Sequence, residues 1–408
     1  MVPLPTRAAN RATSVLVALR VGYAYNWFSV GPALPAIGTA FDVGPAGWGA
    51  LVAVFLAGAG AMQVPAGLLA RRYGARPVSM LGAALLAVGA LLAAFAPSFG
   101  VLLGWRFVAG VGAGLFFSPA IGLVASLYPA GRRGVPVGIF SSGFSLGAAL
   151  GILGSSLLVP ALGWREALAF GGISLAVVTL LAVAVLPAAA GAPEPTRPSP
   201  GVPAAFRLRS VWAVGLAFVG FEGATFASTQ FVVPWGETVL GWSALLAGAV
   251  GMMFVLPSLV GGPVGGTIAE RFRNHRTQFA VVTVAAGAVL LALPYAGVLA
   301  AIGVGAVFSF AYGFVYAVMY VIPYGWPGLP AREVPLAIGL FNAVQLAGGA
   351  GISALFGWVV AIRSYAVAWT LLGAVVVLTL VVLAALPPSP APHPPGGGDA
   401  VRPSGPAR

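Results

Sequence analysis

Long apolar runs separated by short polar turns fill this chain, and the runs fall into two sets of six. An uncharged apolar stretch of about 18 residues or more can cross a bilayer as a helix. On that rule the pattern predicts spans 1 to 6 at 13–37, 46–69, 77–97, 100–126, 136–160 and 166–188. Spans 7 to 12 are predicted at 210–234, 243–268, 277–296, 298–323, 335–361 and 364–387. Between the sets lies "PAAAGAPEPTRPSPGVPAAFR", Pro187 to Arg207, whose prolines and small residues predict a flexible linker. The tail "PPSPAPHPPGGGDAVRPSGPAR" has the composition of a disordered segment. The first apolar run is too long for a cleaved signal peptide and lacks a cleavage pattern. The expected fold is an all-α polytopic membrane protein of twelve transmembrane helices in two six-helix pseudo-repeated halves. Its expected parts are a cytoplasmic arm at 1–12, a half at 13–188, a linker at 189–209, a half at 210–387 and a tail at 388–408.

A repeat supports the two halves. "GLLARRYGARP", Gly67 to Pro77, sits between spans 2 and 3; "GTIAERFRNHR", Gly266 to Arg276, sits between spans 8 and 9. Gly67 pairs with Gly266, Ala70 with Ala269, Arg72 with Arg271 and Tyr73 with Phe272, each 199 positions apart. Pro35 and Pro234 share that offset, and "GIF" at Gly138 and "GLF" at Gly339 open spans 5 and 11. A parallel repeat of this kind places a substrate pathway between its halves.

The arginines orient the chain. With twelve spans, one side collects Arg7, Arg11, Arg71, Arg72, Arg76, Arg132, Arg133, Arg197, Arg207, Arg209, Arg271, Arg273, Arg276, Arg332, Arg402 and Arg408. The other side collects Arg165 and Arg363. Positive charge is retained on the cytoplasmic side, so both termini are expected there, in a cytoplasmic membrane. The formal net charge of +12 is then mostly topological, and no nucleic-acid partner is needed to explain it.

Composition removes several classes. Hydrophobic residues make up 60% of the chain and charged residues 7%, against roughly 25% charged in a soluble domain. All 20 basic residues are arginine, so there is no lysine for a nucleotide-binding P-loop or for a Schiff base. No cysteine is present, which removes disulfides, thiolate metal sites and cysteine nucleophiles. The two histidines, His275 and His393, fall in a turn and in the tail, so no span carries an enzyme-like constellation or a metal cluster. Neither an enzyme nor a cofactor is expected. No stretch outside the spans is long enough for the soluble output domain of a receptor.

Several of these segments together resemble the major facilitator superfamily, over essentially the whole chain except its ends and linker. "GLLARRYGARP" is similar to that family's loop between helices 2 and 3, with Gly67, Ala70, Arg72, Gly74 and Arg76 matching and Arg71 standing where the family usually has aspartate. In the second copy Glu270 restores the acid, while Asn274 replaces the second glycine. "RFVAGVGAG", Arg106 to Gly114, is similar to the arginine–glycine pattern of helix 4. "GFSLGAALG", Gly143 to Gly151, is similar to the glycine-rich helix 5 of the family's antiporters but lacks its proline. The resemblance implies a secondary transporter working by alternating access. It also implies a cytoplasmic gate at Gly67, Arg71, Arg72, Gly74, Arg76, Gly266, Glu270 and Arg271, in which Glu270 keeps the family acid's pairing role. Arg71 would instead seek a carboxylate such as Glu194 or Glu333, or serve as a topology anchor on anionic lipid.

Three ionisable residues fall inside spans: Arg20 in span 1, Arg106 in span 4 and Glu222 in span 7. Inserting each costs on the order of 2.5–3.5 kcal/mol on translocon scales, which makes each a functional candidate. Arg20 either lines the pathway or snorkels towards the cytoplasm. Arg106 reads as a structural or proton-linked residue before a substrate ligand. Glu222 reads as a proton carrier or as a static partner of one of the arginines. Neutral polar residues complete the expected pathway: Asn26, Thr225, Asn342 and Gln345, with Gln63, Ser141, Ser142, Ser145 and Gln230 as further lining. These also suit interhelical hydrogen bonding. Phe308, Tyr312, Tyr316, Tyr320 and Tyr324 recur every four residues along span 10, a stripe that suits bundle packing before a ligand box. Trp27, Trp164, Trp235 and Trp242 lie near predicted span ends, where tryptophan anchors at the membrane interface.

The expected function is a monomeric transporter of a small solute, such as a symporter, driven by a proton or substrate gradient. Two arginines against one glutamate favour a small anion: a carboxylate, a phosphorylated compound or a nitrate-like ion. The alternatives are a drug or hydrophobic-cation exporter with Glu222 as its binding charge and, from another class, a channel.

Overall fold

The computed structural model describes residues 6–129, 132–188, 190–192, 203–272, 274–321, 326, 328–330 and 333–384, without the side chains of 270, 275, 321, 335, 383 and 384. The tail at 388–408 and linker residues 193–202 lie outside the described residues, as does Glu194. Among the described residues every regular element is helical. Span 1 is α1 (Thr6–Phe28) and α2 (Leu34–Phe41), and span 2 is α3 (Pro45–Ala61) and α4 (Gln63–Tyr73). Spans 3 to 6 are α5 (Ala75–Ala94), α6 (Phe99–Ser126), α7 (Gly134–Leu162) and α8 (Trp164–Val185). The short α9 (Ala204–Arg207) precedes span 7, α10 (Arg209–Thr238). Span 8 is α11 (Ala244–Met253) and α12 (Ser258–Arg271). Spans 9 to 12 are α13 (His275–Ala292), α14 (Val298–Val321), α15 (Val334–Ile362) and α16 (Tyr365–Ala384). Eleven of these spans are long and apolar enough to cross a bilayer; span 1, broken and carrying Arg7, Arg11 and Arg20, is the twelfth.

Three spans expected to be continuous are broken, and proline accounts for each. Proline lacks the amide hydrogen and its ring clashes with the carbonyl four residues earlier. Pro65 stands four after Ala61, where α3 ends, and Pro257 four after Met253, where α11 ends. In span 1, Pro32 sits in a one-turn 3-10 segment, Gly31–Ala33, between α1 and α2. Gly74 turns the chain from span 2 into span 3 at φ 97°, a conformation that favours glycine.

The halves repeat one packing plan. Span 1 packs on spans 5 and 6, span 2 on span 4, and span 3 on spans 4 and 6. Adding six to each number gives the second half: span 7 on 11 and 12, span 8 on 10, span 9 on 10 and 12. The halves join where span 2 meets span 11 and span 5 meets span 8. The repeat extends to side chains, since Arg72 lies over the Tyr73 ring at 5.2 Å and Arg271 over Phe272 at 5.6 Å.

Glycines set the distances between helices. A Cβ on Gly147 would come within 2.2 Å of the Val21 carbonyl oxygen, and one on Gly151 within 2.7 Å of that of Tyr25, so the span 5 glycine run exists to seat span 1. A Cβ on Gly110 or Gly114 would come within 2.1 or 2.4 Å of the Phe55 or Ala59 carbonyl oxygen, so the span 4 run seats span 2. Gly261 and Gly265 play the same part between spans 8 and 10. Gly67 and Gly266 differ: a Cβ on either meets nothing within 4 Å, so these loop glycines make no close approach here.

Contacts between the halves gather at the end away from the arginine-rich turns. There Gly49 and Gly357 bring spans 2 and 11 into backbone contact, and Gly248 meets Ser156. Trp27 and Phe28 stack on Phe226 of the other half at 5.3 and 5.7 Å. Of the four tryptophans expected as interface anchors, Trp27, Trp164 and Trp235 are buried in the bundle, and Trp242 is half-buried against Trp235. Their nearness to span ends is a coordinate along the helix, and it says nothing of which helix face they occupy.

Gly147→Ala should lower stability in detergent by about 1–3 kcal/mol through overpacking. Gly67→Ala should raise it by about 0.5–1 kcal/mol through helix propensity. Thermal unfolding of the two purified variants separates these cases; shifts of the same sign would contradict the packing described.

Candidate functional site

Midway along span 1, Arg20, Tyr23 and Trp27 stand three and four residues apart and so share one helix face. Arg20 is 6% exposed, so its side chain stays within the bundle. Its stem passes Gly143 of span 5, where a Cβ would lie 3.3 Å from the Arg20 Cβ and Cγ. Rings flank the guanidinium carbon, with centroids at 4.3 Å for Phe117, 4.6 Å for Tyr23 and Phe144 and 5.7 Å for Phe140. Its Nε and Nη1 are buried without a hydrogen-bond partner. Tyr316 and Tyr320 of the other half lie within electrostatic reach.

Facing it, the second half carries a polar ladder. Glu222 is buried in span 7, with its Cγ 3.5 Å from where a Cβ on Gly349 of span 11 would stand. Tyr312 of span 10 donates to the Glu222 Oε2 at 3.0 Å. One turn on, the Tyr316 and Tyr320 hydroxyls are 2.8 Å apart, and Tyr320 donates to the Asn342 Oδ1 at 3.0 Å. Gln345 donates to that same oxygen at 2.7 Å. Because Tyr320 spends its hydrogen on Asn342, the bond between the tyrosines runs from Tyr316 to Tyr320. Thr225, one turn from Glu222, has a buried hydroxyl without a partner. The span 10 stripe therefore does two things at once. Its rings pack on Phe218 of span 7, at 5.8 Å for both Tyr312 and Tyr316, while its hydroxyls form the ladder; Tyr324 lies outside the described residues.

Arg106 and Asn26 stand apart from this pair of walls. Asn26 donates to the carbonyls of Gly22 and Gly171 at 2.8 and 2.9 Å, tying span 1 to span 6. Arg106 donates to the Asn26 carbonyl at 3.3 Å and lies over the Phe55 ring at 4.3 Å, so its partners all belong to the first half. Neither arginine is the partner of Glu222; among the described residues Tyr312 is its hydrogen-bond donor. Neutral bonds cross between the halves at Ser145 to Ser258, 2.8 Å, and at Gln230 to the Trp27 carbonyl, 2.9 Å. Gln63 bonds within its own span to Ala59, and Ser141 and Ser142 are exposed and bond back to Val137 and Gly138.

The loops expected to gate are only partly engaged. Arg76 donates to the Val183 carbonyl at 2.8 Å, capping span 6 rather than reaching the other half. Arg71 and Arg72 occupy the last turn of α4, where positive charge suits the helix dipole. Glu333 accepts from the Ala205 amide at 3.1 Å, and the Glu270 side chain lies outside the described residues. Missed from the sequence were Tyr23, Phe117, Phe140 and Phe144 around Arg20. Tyr23 and Trp27 were readable from their spacing to Arg20; the others come from spans 4 and 5 and carry no local signal.

The sequence profile of the Major Facilitator Superfamily matches residues 16–327. A probable nitrate/nitrite antiporter of Thermus thermophilus is 27% identical over 348 residues, covering 79% of this chain and 77% of its own. Human monocarboxylate transporter 11 is 33% identical over 235 residues, 55% of this chain and 49% of its own. The crystal structure of a D-xylose-proton symporter superposes with a TM-score of 0.73 at 15% identity, covering 92% of this chain and 97% of the other.

Asn342→Leu should cost about 1–3 kcal/mol, because it strands the Tyr320 hydroxyl and the Gln345 amide without their shared acceptor. Tyr320→Phe in that background should then cost far less than in the wild type. Equal costs in both backgrounds, read by thermal unfolding, would show that the ladder bonds are not coupled.

Proposed function

Since this chain belongs to the Major Facilitator Superfamily and is thus a secondary transporter rather than an enzyme, we propose that it carries a small anion in exchange or symport coupled to protons. The observation that carries this reading is Arg20: a guanidinium buried where the halves face each other, with two nitrogens lacking partners. A buried unpaired charge is costly, and an anion relieves that cost on binding. Glu222 is the matching proton site. Its carboxylate is buried against a single tyrosine hydroxyl, so exchanging a proton there changes the charge of the pathway without breaking an ion pair. The nitrate/nitrite relative supports an anion, and the xylose-proton symporter shares the fold alone.

The division of arginines supports both termini on the cytoplasmic side. With that orientation the contacts between the halves gather at the outer end. An inner end that opens and closes suits alternating access, with Glu270 as one of its gate groups. A hydrophobic-cation exporter is the second reading. It is favoured by the rings of Tyr312, Tyr316 and Phe218 beside Glu222.

Stability of the purified protein against small anions and lipophilic cations tests the sign of the substrate. A ligand at a hundred times its dissociation constant adds roughly 2.7 kcal/mol. Anion stabilisation that disappears in Arg20→Gln is the expected result; stabilisation by cations alone supports the exporter. In proteoliposomes Glu222→Gln should lose most of its response to a pH gradient, and a full response would remove Glu222 from coupling. Glu270→Gln should slow transport several-fold at unchanged substrate affinity, and an unchanged rate would exclude the gate role.

A further inference from the structure

The anion reading leaves open an inorganic ion, a phosphorylated compound or an organic acid, and the surroundings of Arg20 distinguish them. Charge comes first. Away from the span ends, positive charge comes from Arg20 and Arg106, and Arg106 is held within its own half by the Asn26 carbonyl and the Phe55 ring. The wall facing Arg20 brings hydroxyls, amides and the Glu222 carboxyl, and so no positive charge, with the Tyr316 and Tyr320 hydrogens already directed along the ladder to Asn342. One guanidinium balances one negative charge. A phosphate dianion or a dicarboxylate would bring a second charge into the bundle with nothing to meet it.

The apolar surroundings come next. The faces of the guanidinium are lined by Tyr23, Phe117, Phe140 and Phe144, so atoms just behind a bound anionic head meet aromatic carbon. The rings continue across the molecule. Tyr23 and Phe144 contact Trp27 at 5.3 and 6.1 Å, and Trp27 stacks at 5.3 Å on Phe226, four residues from Glu222. Along this path the Trp27 Nε1 is buried without a partner, a further unused donor. A bare inorganic ion satisfies the charge and makes no use of the path; a strongly hydrated one would exchange its water for ring faces.

Resting on the anion reading above, we propose that the substrate is a monocarboxylate with an apolar body. Its carboxylate binds Arg20, and its body lies along Tyr23, Phe144 and Trp27 towards Phe226. Selectivity then comes from two separable features: the single guanidinium selects one negative charge, and the ring path selects an apolar body.

Thermal stabilisation of the full chain in nanodiscs by acetate, butyrate, hexanoate, phenylacetate, nitrate, phosphate, succinate and tetraphenylphosphonium tests this. Apparent affinity should rise from acetate to hexanoate by about fourfold per methylene, the equivalent of about 0.8 kcal/mol. Phosphate and succinate should bind at least tenfold more weakly than butyrate. Phe144→Ala should flatten the chain-length series, and Arg20→Gln should weaken every carboxylate tenfold or more. The wild-type series decides the matter even where a variant fails to fold. Nitrate or phosphate binding ahead of butyrate, with no gain along the series, overturns the monocarboxylate and leaves the anion reading standing. Binding of tetraphenylphosphonium alone overturns both.

Discussion

In lipid, apolar side chains gain little by leaving their surroundings, so helices that stay together must come close enough for dispersion and backbone contact to accumulate. This bundle meets that demand with glycine. Where Gly147 and Gly151 face span 1, or Gly110 and Gly114 face span 2, the partner is a carbonyl oxygen, and any side chain would have to displace backbone. The consequences reach the centre of the molecule. Gly143 belongs to the run that seats span 1, and it is also what lets the Arg20 stem pass span 5. The packing run and the buried charge are thus one device. Loosening the first would move the second.

Much of the architecture was legible because it depends on periodicity and spacing. Apolar runs and the 199-residue offset need no tertiary knowledge, and the packing plan of one half recurs in the other as that offset requires. The breaks in spans 2 and 8 were readable as well, since Pro65 and Pro257 lie four residues beyond the observed helix ends. What was not legible was direction around the helix. Trp27 near a span end suggested an anchor, yet it faces inward and stacks on Phe226.

The candidate site divides along the same line. Polar residues within apolar spans are conspicuous, so Arg20, Glu222, Asn342 and Gln345 stood out from the sequence. Which of them meet is a matter of helix rotation. Asn26 was as conspicuous as Asn342, but its amide ties span 1 to span 6, while Asn342 collects the ladder from span 10. Aromatic residues are common in such a chain, so the rings around Arg20 carried no contrast against their background. They were recognisable only once spans 1, 4 and 5 had been brought together.

A transporter whose halves rock must break and remake the contacts between them in every cycle, and the bonds here are distributed accordingly. Breaking a buried charged pair by removing one partner costs on the order of 3–5 kcal/mol. The buried charges are each held by their own half: Arg20 by rings of spans 1, 4 and 5, Arg106 by Asn26 and Phe55, Glu222 by Tyr312. The hydrogen bonds from Ser145 to Ser258 and from Gln230 to the Trp27 carbonyl cross the interface and are neutral, and such bonds contribute about 1 kcal/mol each. Had Arg20 and Glu222 paired directly, the protein would have supplied its own counter-ion and bound the halves together. Kept apart, they leave the guanidinium free for the external anion proposed above.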